Sequence, residues 1–177
     1  RPDLMTFAKG VTSGYIPLSA SIARARLSDA FSDTTTQENV HPNTYAAHPV
    51  ACAAALANLR IMEQDKLVAN AETMGTRLLE GLRSAVGKQP IVGEVRGRGL
   101  LVCVDFVQPD GSGKPLDGKL VAELDRKAWD RGAIIYARGT VLRLAPPLCI
   151  TAAEVDELVA VVADCVDSLQ RDVAAAG

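Results

Sequence analysis

The group in this sequence best placed for covalent chemistry is an amine at the end of an apolar stretch. Lys9 follows Leu4-Met5-Thr6-Phe7-Ala8 and precedes Gly10 and a Thr12-Ser13-Gly14 turn. Held at a strand's end, such an amine can point into a cleft, where burial would lower its pKa and produce a nucleophile suited to a Schiff base. A surface lysine closing a strand has the same spacing, so position alone leaves both readings open. Arg143 is a second candidate, within Val141-Leu142-Arg143-Leu144-Ala145. A guanidinium inside an apolar strand is costly when unpaired and needs a carboxylate, from a ligand or from the protein itself. Metal chemistry is disfavoured. Cys52, Cys103, Cys149 and Cys165 lie far apart with no CxxC, and only His41 and His48 could assist them. Buried thiols in a reducing cytoplasm are expected, with neither a zinc ribbon nor a disulfide scaffold.

The elements that must position these groups can be sketched from punctuation and periodicity. Gly10, Gly14 and Pro17 break up short apolar runs, and Leu18 to Ala23 reads as a further strand. Ser32 to Thr44 is polar and reads as a loop. A helix is expected from Pro49, where a missing N–H costs nothing, to Met62. Its small face, Ala51, Ala54, Ala55 and Ala57, permits close approach of another backbone. Leu67, Ala71, Met74, Leu78, Leu82 and Ala85 then recur at helical spacing and mark a second amphipathic helix ending near Gly87.

Beyond Pro90 the units shorten. Ile91 to Arg96 and Leu100 to Val107 read as strands around a Gly97-Arg98-Gly99 bend. Asp117 to Arg131 reads as a helix with Leu120, Val121, Leu124 and Ala128 inward, stopped by Gly132. Strands are expected at Ala133 to Ala137 and Val141 to Ala145. Thr151-Ala152-Ala153-Glu154 is a capping box that opens a last helix. Strands alternating with helices imply an α/β fold with a small sheet packed under helices. His48 reads as structural, orienting the loop ahead of its helix, and Trp129 as a packing residue.

The whole-chain quantities exclude several classes. At 177 residues, 48% hydrophobic and 23% charged, the composition is globular rather than disordered. A net charge of -2, from 19 basic and 21 acidic residues, gives no general attraction to nucleic acid or anionic membranes. No run of about 18 apolar residues suggests a membrane span, and a soluble cytoplasmic protein is expected. The opening Arg1-Pro2-Asp3, running directly into a strand, reads as the middle of a fold.

Three segments together resemble the class III (ω-amino acid type) aminotransferases of the pyridoxal-phosphate (PLP) fold-type I superfamily. The first is Pro2-Asp3-Leu4-Met5-Thr6-Phe7-Ala8-Lys9-Gly10-Val11-Thr12-Ser13-Gly14-Tyr15-Ile16-Pro17-Leu18, similar to the family's cofactor-lysine signature. The second is Thr44-Tyr45-Ala46-Ala47-His48-Pro49-Val50-Ala51, similar to the threonine-bearing loop before an Ala-rich helix. The third is Val141-Leu142-Arg143-Leu144-Ala145-Pro146-Pro147-Leu148, similar to a strand that faces the active site. Ala46-Ala47 departs from the commoner pattern, in which a small polar residue and a glycine stand there.

The resemblance implies a PLP-dependent aminotransferase acting between an amino donor, an ω-amine or amino acid, and a 2-oxo acid. It implies that Lys9 links the cofactor and moves the proton, and that Thr44 hydrogen-bonds the cofactor phosphate from the neighbouring subunit of a homodimer. Arg143 would hold the substrate carboxylate, with Arg138 a rival because the stretch from Tyr136 to Val141 looks short. It further implies that the chain is the C-terminal portion of such an enzyme and inactive by itself. Residues 1–60 would belong to the PLP-binding large domain, 61–86 to a connecting helix and 87–177 to a small C-terminal α/β domain. A PLP-dependent decarboxylase or aminomutase, or a non-catalytic fragment whose Lys9 binds nothing, are the alternatives.

Overall fold

The computed structural model describes residues 1–28 and 43–176. The loop expected over Ser32 to Thr44 therefore lies, up to Pro42 and including His41, outside the described residues. The chain divides into two compact units, Arg1–Lys66 and Leu67–Gly177.

In the first unit, β1 (Leu4–Ala8) pairs antiparallel with β2 (Ser19–Ala23), in a register running from Leu4 opposite Ala23 to Ala8 opposite Ser19. Asp3, just ahead of β1, forms ion pairs with Arg24 and Arg26, the latter within the short helix α1 (Ala25–Ser28). Between the strands the chain makes a 3-10 turn over Lys9–Thr12. Helix α2 (Pro49–Gln64) starts on proline, as the sequence indicates, with His48 at its N-cap. Ala51 and Ala55 are its buried residues, and this face packs on the 3-10 turn. Their side chains are no larger than a methyl, which lets the helix come close to the turn.

In the second unit, a four-stranded antiparallel sheet has the order β3-β4-β6-β5: β3 is Val92–Arg98, β4 Leu101–Phe106, β5 Tyr136–Arg138 and β6 Val141–Leu144. Helices α3 (Leu67–Ala85), α4 (Gly118–Trp129) and α5 (Ala152–Ala176) cover one face. Alternation along β4 puts Val102, Val104 and Phe106 inside, against Leu78, Leu82 and Val162. Each such side chain, fully removed from water, contributes roughly 1.5–3 kcal/mol. The capping box forms as the sequence dictates: Thr151 Oγ1 accepts from the Glu154 N–H, and the Glu154 carboxylate accepts from the Thr151 N–H at 2.8 Å.

Several expectations change. The stretch anticipated as a connecting helix is two pieces: residues to Gln64 complete α2, and α3 belongs to the second unit because Leu78 and Leu82 are fully buried in its core. Gly97 and Arg98 lie within β3, paired with Val102 and Leu101, so the bend shrinks to Gly99-Leu100. Strand β5 begins only at Tyr136. The end of α4 wraps on through Gly132 and Ala133, whose N–H donates back to the Ala128 carbonyl, and this delays the extended chain. Trp129 is exposed, because the inward stripe of α4 is Val121, Leu124 and Ala128 and the next residue turns about 100° away from it.

Candidate functional site

Lys9 follows β1 directly, with its backbone in the left-handed region, at φ 52°. That conformation costs an L-residue roughly 1–2 kcal/mol and persists only where the surroundings impose it. Two side chains do so. The buried Thr12 has its hydroxyl 2.6 Å from the Ile16 carbonyl and 3.4 Å from the Lys9 carbonyl. Asn58, on α2, donates from Nδ2 to the carbonyls of Gly10 (3.0 Å) and Val11 (3.1 Å).

Lys9 lines an open groove of about 540 Å³ shared with Gly14, Ile16, Ser19 and the segment Asn43, Tyr45, Ala46 and Ala47. That segment is a turn: the Ala46 N–H donates to the Asn43 carbonyl, and the Tyr45 N–H to Asn43 Oδ1, both at 3.0 Å. Thr44 is exposed within it. The structure therefore brings Lys9 and the Thr44 turn to one groove, although they stand 35 positions apart in the chain. Ala47, where glycine is commoner in the resembling family, has φ 54°, the conformation that glycine adopts without cost. His48 lies beside this turn, its ring 6.4 Å from that of Tyr45.

Lys9 is exposed in this chain. The burial expected to desolvate its amine is thus not supplied by the described residues. The groove nonetheless fits a phosphorylated aromatic aldehyde. Its size lies within the range of small-molecule sites. Among the described residues its lining carries an amine, hydroxyls and an amide but no carboxylate to repel a phosphate.

Arg143 lies in the second unit. The expectation of a guanidinium buried in an apolar strand is corrected by the alternation of β6: Leu142 and Leu144 are buried, whereas Arg143 is exposed on the opposite, open face of the sheet. The register aligns Arg96, Cys103, Arg143 and Tyr136 in a row across the four strands. Arg143 stands 5.7 Å from the Tyr136 ring centre, within cation–π range. No carboxylate among the described residues is within ion-pair distance of it.

Its rival is differently placed. Arg138, 4.8 Å from the same ring, is bound by Asp125, whose other carboxylate oxygen accepts the Ala137 N–H at 2.7 Å. The hydrogen bond and charge of Asp125 raise the pKa of Arg138 above its ordinary value. Arg96 is likewise engaged, by Asp105 and Glu94. Arg143 is the cation of that cross-strand row left for an external anion.

Thr12, Asn58 and Tyr136 had no signal strong enough to single them out in the sequence. Asn58 had a faint one, as a polar residue seven positions after Ala51 and three after Ala55, on the stripe of small residues.

The family model for aminotransferase class-III matches residues 1–166. The 4-aminobutyrate aminotransferase of Escherichia coli K12 is 35% identical over 173 residues, covering 96% of this chain and 39% of that protein. Among solved structures, a transaminase from directed evolution by ancestral reconstruction superimposes with a TM-score of 0.92 at 40% identity, covering 98% of this chain and 39% of its own. An amine transaminase from an uncultivated Pseudomonas species, solved in its PLP-bound form, gives a TM-score of 0.87 at 37% identity over 93% of this chain and 38% of its own. The chain thus spans about two-fifths of the length of these proteins, and its α/β fold is the one found in fold-type I transaminases.

Proposed function

The chain belongs to the class III aminotransferases, a PLP-dependent family, and from that premise we propose that it serves transamination between an ω-amine or amino acid donor and a 2-oxo acid. The observation that carries this reading is Lys9, presented just after β1 on an imposed left-handed backbone at the lining of an open groove. PLP, when bound, supplies the electron sink for carbanion chemistry. Lys9 Nζ would hold the cofactor covalently, and it is the general base and acid placed to carry the proton to and from the substrate carbon. Thr44 donates its hydroxyl to the phosphate, and we assign that contact to the neighbouring subunit of a homodimer.

Arg143 holds the carboxylate of the acceptor bidentately, a role for which its planar fork and open position suit it. Arg138 is committed to Asp125 and is not the carboxylate binder. We assign Arg1–Lys66 to the cofactor-binding large domain and the residues from Leu67 onward to the small domain. No helix among the described residues is long and apolar enough to cross a membrane. The four cysteines are free thiols, which supports a cytoplasmic setting.

The test is Lys9→Ala in the protein as its host makes it, with any flanking sequence. Loss of the general acid–base step alone predicts a fall in turnover of about 100- to 10,000-fold, with the fold intact. The cofactor's imine absorbance, fixed by borohydride at Lys9 in the unmodified protein, disappears with it. Near-normal transamination by Lys9→Ala overturns the proposal. Carbon dioxide release in step with donor consumption would instead mark a decarboxylase.

A further inference from the structure

The turn that aims Lys9 is held from outside by a residue that chemistry alone would not pick out. Lys9 begins a 3-10 turn ending at Ser13, which is also left-handed at φ 52°. Two non-glycine departures of this kind, one at each end of a short turn, need external restraint. The Ser13 N–H closes the turn on the Gly10 carbonyl at 3.1 Å. The Asn58 amide reaches that same carbonyl and the next one, Val11, from 48 and 47 residues away. The helix comes close enough for this because Ala55 and Ala51, about one and two turns earlier on α2, are its buried residues and carry only a methyl each.

We propose that Asn58 is a positioning residue for Lys9. By holding the carbonyls of Gly10 and Val11, it fixes the two peptide planes that follow those residues and so anchors the far side of the turn, which limits rotation of the Lys9–Gly10 plane and keeps Lys9 directed into the groove. Thr12 acts from the inner side of the same turn, through the carbonyls of Lys9 and Ile16. This inference rests on the assignment of Lys9 as the cofactor lysine.

The test measures capture rather than turnover. Cofactor-free protein, with any flanking sequence, is mixed with pyridoxal phosphate and quenched with borohydride at set times. The rate of labelling is then read separately at Lys9 and at the exposed Lys88, the internal reference. Asn58→Leu, similar in size but without the amide, is expected to slow labelling at Lys9 by about tenfold, the order of loss for a sub-ångström misplacement of a reacting group, and to leave Lys88 unchanged. Labelling at the unmodified rate overturns the role of Asn58 while the cofactor assignment stands. Equal slowing at both lysines marks general loosening and also overturns it. Absence of labelling at Lys9 in the unmodified protein overturns the cofactor assignment and this inference together. Should Asn58→Leu fail to fold, Asn58→Asp, which keeps the shape and replaces the donor by an acceptor, is held to the same outcomes.

Discussion

Gly75, buried in the middle of α3, is a position where two well-known effects oppose each other. Replacing a helical glycine by alanine favours the helix by about 1 kcal/mol. A Cβ at residue 75, however, would lie 2.2 Å from both the carbonyl carbon and oxygen of Gly99 and 2.5 Å from its Cα. Carbon atoms in good contact stand roughly 3.5–4 Å apart, so the helix and the β3–β4 turn would have to separate by more than an ångström. Neither side yields readily. The obstacle is backbone, and Gly99 at φ 52° forms the tight end of the hairpin. Overpacking of this kind costs roughly 1–3 kcal/mol, and a rigid obstacle places Gly75→Ala at the upper end. The net expectation is a destabilisation of about 1–2 kcal/mol. Urea unfolding followed by circular dichroism should show a lower midpoint at unchanged slope. Gly81→Ala on the same helix is the control, because its Cβ would meet only the Val159 side chain, at 3.0 Å; it should be close to neutral. If Gly75→Ala stabilised the protein by about 1 kcal/mol, propensity alone would account for it and the close approach would have no energetic meaning.

Ala47→Gly should stabilise the protein by about 0.5–1 kcal/mol in a thermal melt, because relief of the left-handed cost outweighs the extra freedom of the unfolded chain; a lower melting temperature would show that the Ala47 conformation is not a source of strain. The backbone N–H and then the hydroxyl of Thr151 hold the Glu154 carboxyl below its ordinary value. Its contribution is therefore complete above the unfolded carboxyl range and is lost as pH falls below about 4.3 and through the folded-state value. The melting-temperature advantage over Glu154→Gln should accordingly be largest at neutral pH and shrink towards pH 3, and an advantage independent of pH would refute the linkage. Arg143→Ala should weaken the acceptor half-reaction by roughly 1.5 to 3 kcal/mol, the range for hydrogen bonds to a charged group, and the donor half-reaction less, as read by stopped-flow absorbance; equal losses in both would return Arg143 to a structural role.

What the sequence disclosed and what it hid follow a physical division. Signals carried by neighbours in the chain were legible: proline at the first position of α2, the reciprocal Thr151–Glu154 cap, and the inward stripe of α4 all form as their local patterns dictate. Contacts between distant residues were not. Nothing near Asn58 announces that its amide reaches Gly10 and Val11, and nothing near Asp125 announces that it engages Arg138. Arg143 is the instructive case. Its apolar neighbours suggested burial, but a strand's two faces share one stretch of sequence, and only the pairing of β6 between β4 and β5 shows which face is packed. Lys9 was singled out by the run of residues around it, whereas its left-handed backbone leaves no mark in residue type, since a lysine occupies it where glycine would be easier.

The two-faced sheet of the second unit also bears on how such a protein changes over generations. Along β4, β6 and β5 every second position supports the helices and every other one meets the outside, so a single strand carries two sets of residues under separate selection. Arg143 or Tyr136 can be exchanged with little disturbance to Leu142, Leu144 or Ala137 beneath them. A lineage can thus alter the side chains of the open face through isolated substitutions at alternate positions while the packed face stays as it is. Diversification of that face then needs no compensating repair of the interior.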